Sequence, residues 1–66
     1  MNTETPIMTA VRIAGGQSSL ARACGVTPQA VQQWVDSGQV SHKKVIAVEV
    51  ATGIKRTALR PDIYPD

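Results

Sequence analysis

Residues 17–36, QSSLARACGVTPQAVQQWVD, decide the fold of this chain. Two helical signals lie either side of Gly25, Val26 and Thr27. In the first, about Gln17 to Cys24, the residues Leu20, Ala21 and Cys24 make one apolar face, and Arg22 lies off it. Gly25 follows where a left-handed C-cap is needed. The second runs from about Pro28 to Val35, with Thr27 as N-cap and proline at the first helical position. Ala30, Val31 and Trp34 form its apolar stripe, and Asp36-Ser37-Gly38 ends it. A helix, a three-residue turn with glycine, then a capped helix is the geometry of a helix-turn-helix. Counting Gln17 as position one of a twenty-residue unit, apolar or small residues fall at four (Leu20), five (Ala21), eight (Cys24), ten (Val26), fifteen (Val31) and eighteen (Trp34). Glycine falls at nine, and none of these seven positions is charged. Ala21 is small because the second helix crosses close over the first, and Val26, Val31 and Trp34 knit the pair into a core.

Working outward, the flanking segments also read as short helices. Before the motif, about Pro6 to Ala14, Thr5 is an N-cap and Gly15 a stop. Ile7, Ala10, Val11 and Ala14 share one stripe. After it, about His42 to Thr52, Ser41 is expected as N-cap and Gly53 as stop. Val45, Val48 and Thr52 lie along one side, with Ile46, Val50 and Ala51 widening it. The valines favour strand locally, but the apolar residues come in pairs rather than alternating, which favours helix. A last helical turn or two spans about Arg56 to Arg60, and the tail from about Pro61 to Asp66 is expected to be extended, since residues before proline avoid the α region. The expected architecture is all-α: a compact bundle of four to five short helices forming one domain over residues 1–66.

Composition excludes several classes. At 66 residues the chain buries only about 60% of its unfolded surface, too little for an elaborate catalytic cleft. It is 42% hydrophobic and 18% charged, hence globular. Residues 5–61 hold all seven Lys/Arg and only Asp36 and Glu49 as acids, a net +5 with the remaining acids towards the ends. That distribution points modestly to a polyanionic partner, although an ordinary soluble surface also accounts for it. One histidine and one cysteine cannot make a zinc site, which needs about four ligands, so no metal and no cofactor are expected. No nucleophile–base constellation suggests an enzyme. Cys24 has no disulfide partner, no apolar run reaches membrane-spanning length, and Met1 to Pro6 lacks the basic start of a signal peptide. These features point to the cytoplasm and away from a membrane.

The stretch Gln17 to Trp34 resembles the helix-turn-helix of phage Cro and lambda-type repressor proteins. The wider frame is similar to small prophage Cro/YdaS-like regulators. It includes Ile-Ala-Gly-Gly-Gln at 13–17, Val-Ala-Thr-Gly-Ile at 50–54 and Leu-Arg-Pro-Asp-Ile-Tyr-Pro at 59–65, and covers nearly the whole chain from about Met8. The resemblance implies a lambda-repressor-like operator-binding domain in a lysis–lysogeny or toxin–antitoxin switch. Some Cro proteins carry a dimerising β-hairpin in place of the C-terminal helices; the helix signals at 42–52 argue against that here.

In such a protein the N-terminal part of the second helix enters the major groove of double-stranded DNA. Glutamine bonds bidentately to adenine N6 and N7. By the resemblance, Gln29 and Gln33 align with base-reading glutamines, with Gln32 a secondary candidate. Pro28 departs from the pattern, since several relatives carry a base-reading glutamine there and proline has no side-chain donor. Gln17 opens a helix whose N-terminus favours phosphate, and the resemblance gives it a phosphate contact. Thr27, Arg22 and Ser41 are further phosphate candidates, as are Lys43 and Lys44, whose charge in the first turn of a helix is unfavourable unless an anion lies beside it. His42, Lys55 and Arg56 carry less of the argument. Trp34 and Cys24 read as core, and Ile63 with Tyr64 either packs back on the helices or makes a dimer contact. A sequence-specific repressor of a near-palindromic operator, acting as a weak homodimer or a dimer formed on DNA, is the first expectation. The rival is an antitoxin-like module that binds a partner protein through exposed apolar residues of the fourth helix and the tail.

Overall fold

A computed structural model describes residues 4–65. Met1 to Thr3, the first half of the Met1–Pro6 segment weighed as a signal peptide, and Asp66 at the tail's end lie outside the described residues. Five helices follow in order: α1 (Pro6–Ala14), α2 (Gln17–Cys24), α3 (Pro28–Ser37), α4 (Val45–Thr52) and α5 (Arg56–Leu59). Among the described residues there is no strand, so the all-α architecture holds and the β-hairpin does not occur.

Local chemistry sets most helix ends. The Thr5 hydroxyl accepts from the Met8 amide at 3.3 Å, and the Thr27 hydroxyl from the Ala30 amide at 3.2 Å. Each satisfies one of the amides that a helix start leaves unpaired. Gly25 closes α2 at φ 70°, ψ 33°, and the Val26 amide then reaches back 2.9 Å to the Ala21 carbonyl. One core joins all five helices. Ile7 and Ala10 enter it from α1, Leu20, Ala21 and Cys24 from α2, Val31 and Trp34 from α3, Val45 and Val48 from α4, and Leu59 from α5. Ala21 is 1% exposed, consistent with close passage of a second helix at that point. Val11, Ala14, Val26 and Ala30 pack partly buried against this core.

Four expectations need correction. First, α3 runs two residues beyond Val35, because the first left-handed residue is Gly38 at φ 79° and nothing at Asp36 or Ser37 stops the helix earlier. Second, α4 starts at Val45 rather than near His42, and Ser41 is not its side-chain cap. Val40, only 1% exposed, is drawn into the core from the connecting loop. The chain then makes a separate turn, closed by the Lys44 amide on the Ser41 carbonyl at 2.9 Å, before the helix begins. Lys43 and Lys44 therefore precede the first turn of α4, with Lys44 at the N-cap. Third, Ile46, Val50 and Ala51 do not widen the buried face: Val50 is 81% exposed, and Ile46 and Ala51 are exposed too. Only Val45 and Val48 of this nearly all-apolar helix are fully buried.

Fourth, the tail is not extended. Arg60 avoids the α region ahead of proline, at φ −140°, ψ 74°. Past Pro61 the chain turns, with the Ile63 and Tyr64 amides donating to the Arg60 carbonyl at 3.2 and 2.9 Å. The Arg60 guanidinium donates to the Val40 carbonyl at 2.7 Å and to both Asp62 carboxylate oxygens at 3.0 and 2.7 Å. The tail is thereby tied to the α3–α4 loop. Tyr64 packs against the core with the Arg56 guanidinium 5.7 Å from its ring centre, while Ile63 stays exposed.

Candidate nucleic-acid interface

α3 buries Val31 and Trp34 and turns Gln29, Gln32 and Gln33 to solvent. Gln29 and Gln33 are four residues apart, so they stand one above the other on the side of the helix away from the core. Among the described residues neither makes a side-chain hydrogen bond, so both amides keep their full donor and acceptor capacity. Gln32 differs. Its Oε1 accepts from Gln17 Nε2 at 2.8 Å, and its Nε2 donates to Asp36 Oδ1 at 2.9 Å. The first of these bonds spans two helices and brings the N-terminus of α2 against the glutamine face of α3. The Gln32–Asp36 pair has the i, i+4 spacing that lets helical side chains meet, so the signal for it is present in the sequence.

The N-terminus of α2 carries no side-chain cap, and Gly16 precedes it at φ 130°. The Leu20 amide is the first to bond back into the helix, on the Gly16 carbonyl at 3.0 Å. Earlier amides have no partner within α2 and face the end where an anion is favoured. Thr27, at the start of α3, uses its oxygen as the cap acceptor, and its hydroxyl proton remains available to an outside acceptor.

Charge is sorted across the molecule. Glu4 pairs with Arg12 at 2.9 Å, Glu49 with Arg56 at 3.6 Å and Asp62 with Arg60 at 2.7 Å. Among the described residues, Arg22, Lys43, Lys44 and Lys55 have no ion-pair partner. Arg22 is exposed on the last turn of α2. Lys43 and His42 are exposed in the turn before α4, and Ser41 and Lys44 are half-buried there. No hydrogen bond among the described residues joins Lys43 or Lys44 to the glutamine face. The Lys44 charge partly offsets the burial that pushes the Cys24 thiol upward. Cys24 thus stays a protonated core thiol. The Arg60 hydrogen bond holds the Asp62 carboxyl below its ordinary value, and Asp62 in turn raises Arg60. No group of His, Cys, Asp and Glu among the described residues could hold a metal ion, and no described helix is long and apolar enough to cross a membrane.

Comparison with known proteins gives a family for this arrangement. The family model described as bacterial toxin YdaS matches residues 7–66. The chain is 40% identical over 57 residues to the Escherichia coli (strain K12) protein described as "Putative transcriptional regulator YdaS", covering 82% of this chain and 58% of that protein. It therefore spans little more than half the length of that relative. It is 37% identical over 65 residues to the gene 30 protein of Enterobacteria phage phi80, covering 96% of this chain and 89% of the phage protein. Among solved structures, the Cro protein from the Xfaso 1 prophage element of Xylella fastidiosa strain Ann-1 superposes with a TM-score of 0.86 at 31% identity, over 91% of this chain and 95% of that one. The chain belongs to the YdaS family and has the all-α helix-turn-helix fold of a prophage Cro protein.

Proposed function

We propose that this protein is a DNA-binding transcriptional regulator, a repressor of Cro type without catalytic activity, that reads a near-palindromic operator with α3 in the major groove. The observation that carries the reading is the surface on which Gln29 and Gln33 stand unpaired beside the N-terminus of α2. Gln29 and Gln33 read base edges through paired amide bonds, with adenine the preferred partner. Gln17, the free α2 amides and the Thr27 hydroxyl bond phosphates on one strand. Arg22, Ser41, Lys43 and Lys44 add phosphate contacts, and the absence of ion-pair partners for the three basic residues among the described residues supports this. Affinity then comes mainly from phosphate neutralisation and falls steeply with salt. A single recognition helix covers one half-site, so two copies bind half-sites about one helical turn apart and dimerise weakly or only on DNA.

A second reading, binding of a partner protein, draws on the exposed Ile46 and Val50 of α4. Selection from a random duplex pool at two salt concentrations separates the two. Enrichment of a two-half-site sequence is the expected result. Salt-sensitive binding without enrichment overturns operator recognition, and no binding at either salt moves the assignment to the partner protein.

A further inference from the structure

We infer that Asp36 and Gln32 are positioning residues that fix the amide of Gln17 with its NH2 group directed along the DNA-facing surface; this rests on the DNA-binding reading above. Three side chains form one exposed line, from Asp36 through Gln32 to Gln17, with contacts of 2.9 and 2.8 Å. The line has a direction that chemistry sets. An ionised carboxylate only accepts hydrogen bonds, so the Gln32 atom facing Asp36 is its NH2 nitrogen. The Gln32 oxygen is thereby turned to Gln17, and the Gln17 atom facing it must in turn be the NH2 nitrogen. One carboxylate so orients two amides, each of which alone has two nearly equal ways to sit.

The consequence falls on Gln17, the first residue of α2. One of its amide hydrogens is held by Gln32. The second remains for a phosphate oxygen, next to the unpaired backbone amides of the same helix end. Without the carboxylate, Gln32 can turn its NH2 towards Gln17 and draw the Gln17 oxygen inward as acceptor. The donor is then no longer preset, and ordering it opposes binding. Gln32, grouped with the base readers by its place on α3, acts in this arrangement through Gln17 rather than on a base. An acid on a DNA-binding face otherwise repels phosphate, and its role as the fixed end of this relay gives it a purpose there.

Asp36→Asn changes two things at once: it removes a negative charge, which favours DNA, and it removes the directionality. A double-mutant cycle separates them. Affinity for the selected operator duplex is measured for the wild type, Asp36→Asn, Gln17→Ala and the double variant. The charge effect is common to both backgrounds, whereas orientation matters only where Gln17 is present. We expect Asp36→Asn to be less favourable by about fivefold in the Gln17 background than in the Gln17→Ala background, the size of one net hydrogen bond. Gln32→Ala should show coupling to Gln17→Ala of the same sign and size. Equal effects of Asp36→Asn in both backgrounds overturn the inference. The free protein supplies a readout independent of DNA. The Gln17 side-chain amide proton resonances should move on Asp36→Asn although the two residues do not touch. If they stay in place, the relay does not exist. If they move while no variant, nor the wild type, binds duplex DNA, the relay stands but its DNA role and the DNA-binding reading fall together.

Discussion

Replacing Gly25 by alanine tests the turn between α2 and α3 in a way that isolates backbone conformation. Gly25 sits at φ 70°, ψ 33°, and a Cβ built there meets no atom within 4 Å. Packing is therefore silent and two terms remain. An L-residue in the left-handed region costs about 1–2 kcal/mol. Alanine also restricts the unfolded chain relative to glycine, which returns about 0.4–1 kcal/mol. The net is a destabilisation of about 1 kcal/mol. The chain's total stability should be about 3–10 kcal/mol at its length, so the variant still folds. Its melting temperature should fall by about 4–8 °C.

The mirror-image residue reverses the sign. D-alanine is at ease at positive φ and restricts the unfolded chain equally, so a synthetic chain carrying it at position 25 should gain about 0.4–1 kcal/mol over the glycine chain. Thermal and urea melts of the three chains, followed by circular dichroism, give the comparison. Equal destabilisation by both enantiomers would refute the reasoning, because it would mean that the handedness of the backbone at Gly25 does not set the cost. A stabilising L-alanine would mean that the turn is not left-handed at Gly25.

Further outcomes are expected. Gln29→Ala and Gln33→Ala should each lose about 1–3 kcal/mol of discrimination at one operator base pair while leaving binding to random duplex nearly unchanged, as competition titrations would read. Equal losses on both DNAs would remove the base-reading role. Lys43→Ala and Lys44→Ala should each lower the slope of log affinity against log salt by about one, and an unchanged slope would mean that no phosphate is contacted there. The tail latch should be acid-sensitive. Asp62 is held below its ordinary pKa by Arg60, so its contribution is present above the ordinary carboxylate range and is lost as pH falls through the lowered value. Asp62→Asn should accordingly show a shallower loss of stability on acidification than the wild type, and parallel acid-melt curves would show that this bond contributes nothing.

How far a reading of residues reaches depends on whether the physics is local. Threonine, proline and glycine act on their own φ and ψ and on amides a few residues away. The starts of α1 and α3, the stops at Gly15, Gly25 and Gly53, and hence the helix-turn-helix, are legible from the chain alone. The exposed Gln29 and Gln33 follow from the same periodicity, as the side of α3 away from Val31 and Trp34. The buried side of α4 is another matter. Six of its eight residues are apolar, so no stripe distinguishes one side, and only the packing of the other helices selects Val45 and Val48 over Ile46 and Val50. Val40 belongs to no periodic segment, yet its burial delays the start of α4 and places the two lysines outside it. The Arg60 bond to Val40 crosses twenty residues and the Gln17 bond to Gln32 fifteen. Such contacts exist only once the core has brought distant parts of the chain together. Short-range backbone energetics thus set which helices form and where most of them stop, and both can be read from the residues alone. The tertiary structure alone decided the buried side of α4, the turn and anchoring of the tail, and the order of the polar line from Asp36 to Gln17, because each depends on residues that meet only in the packed molecule.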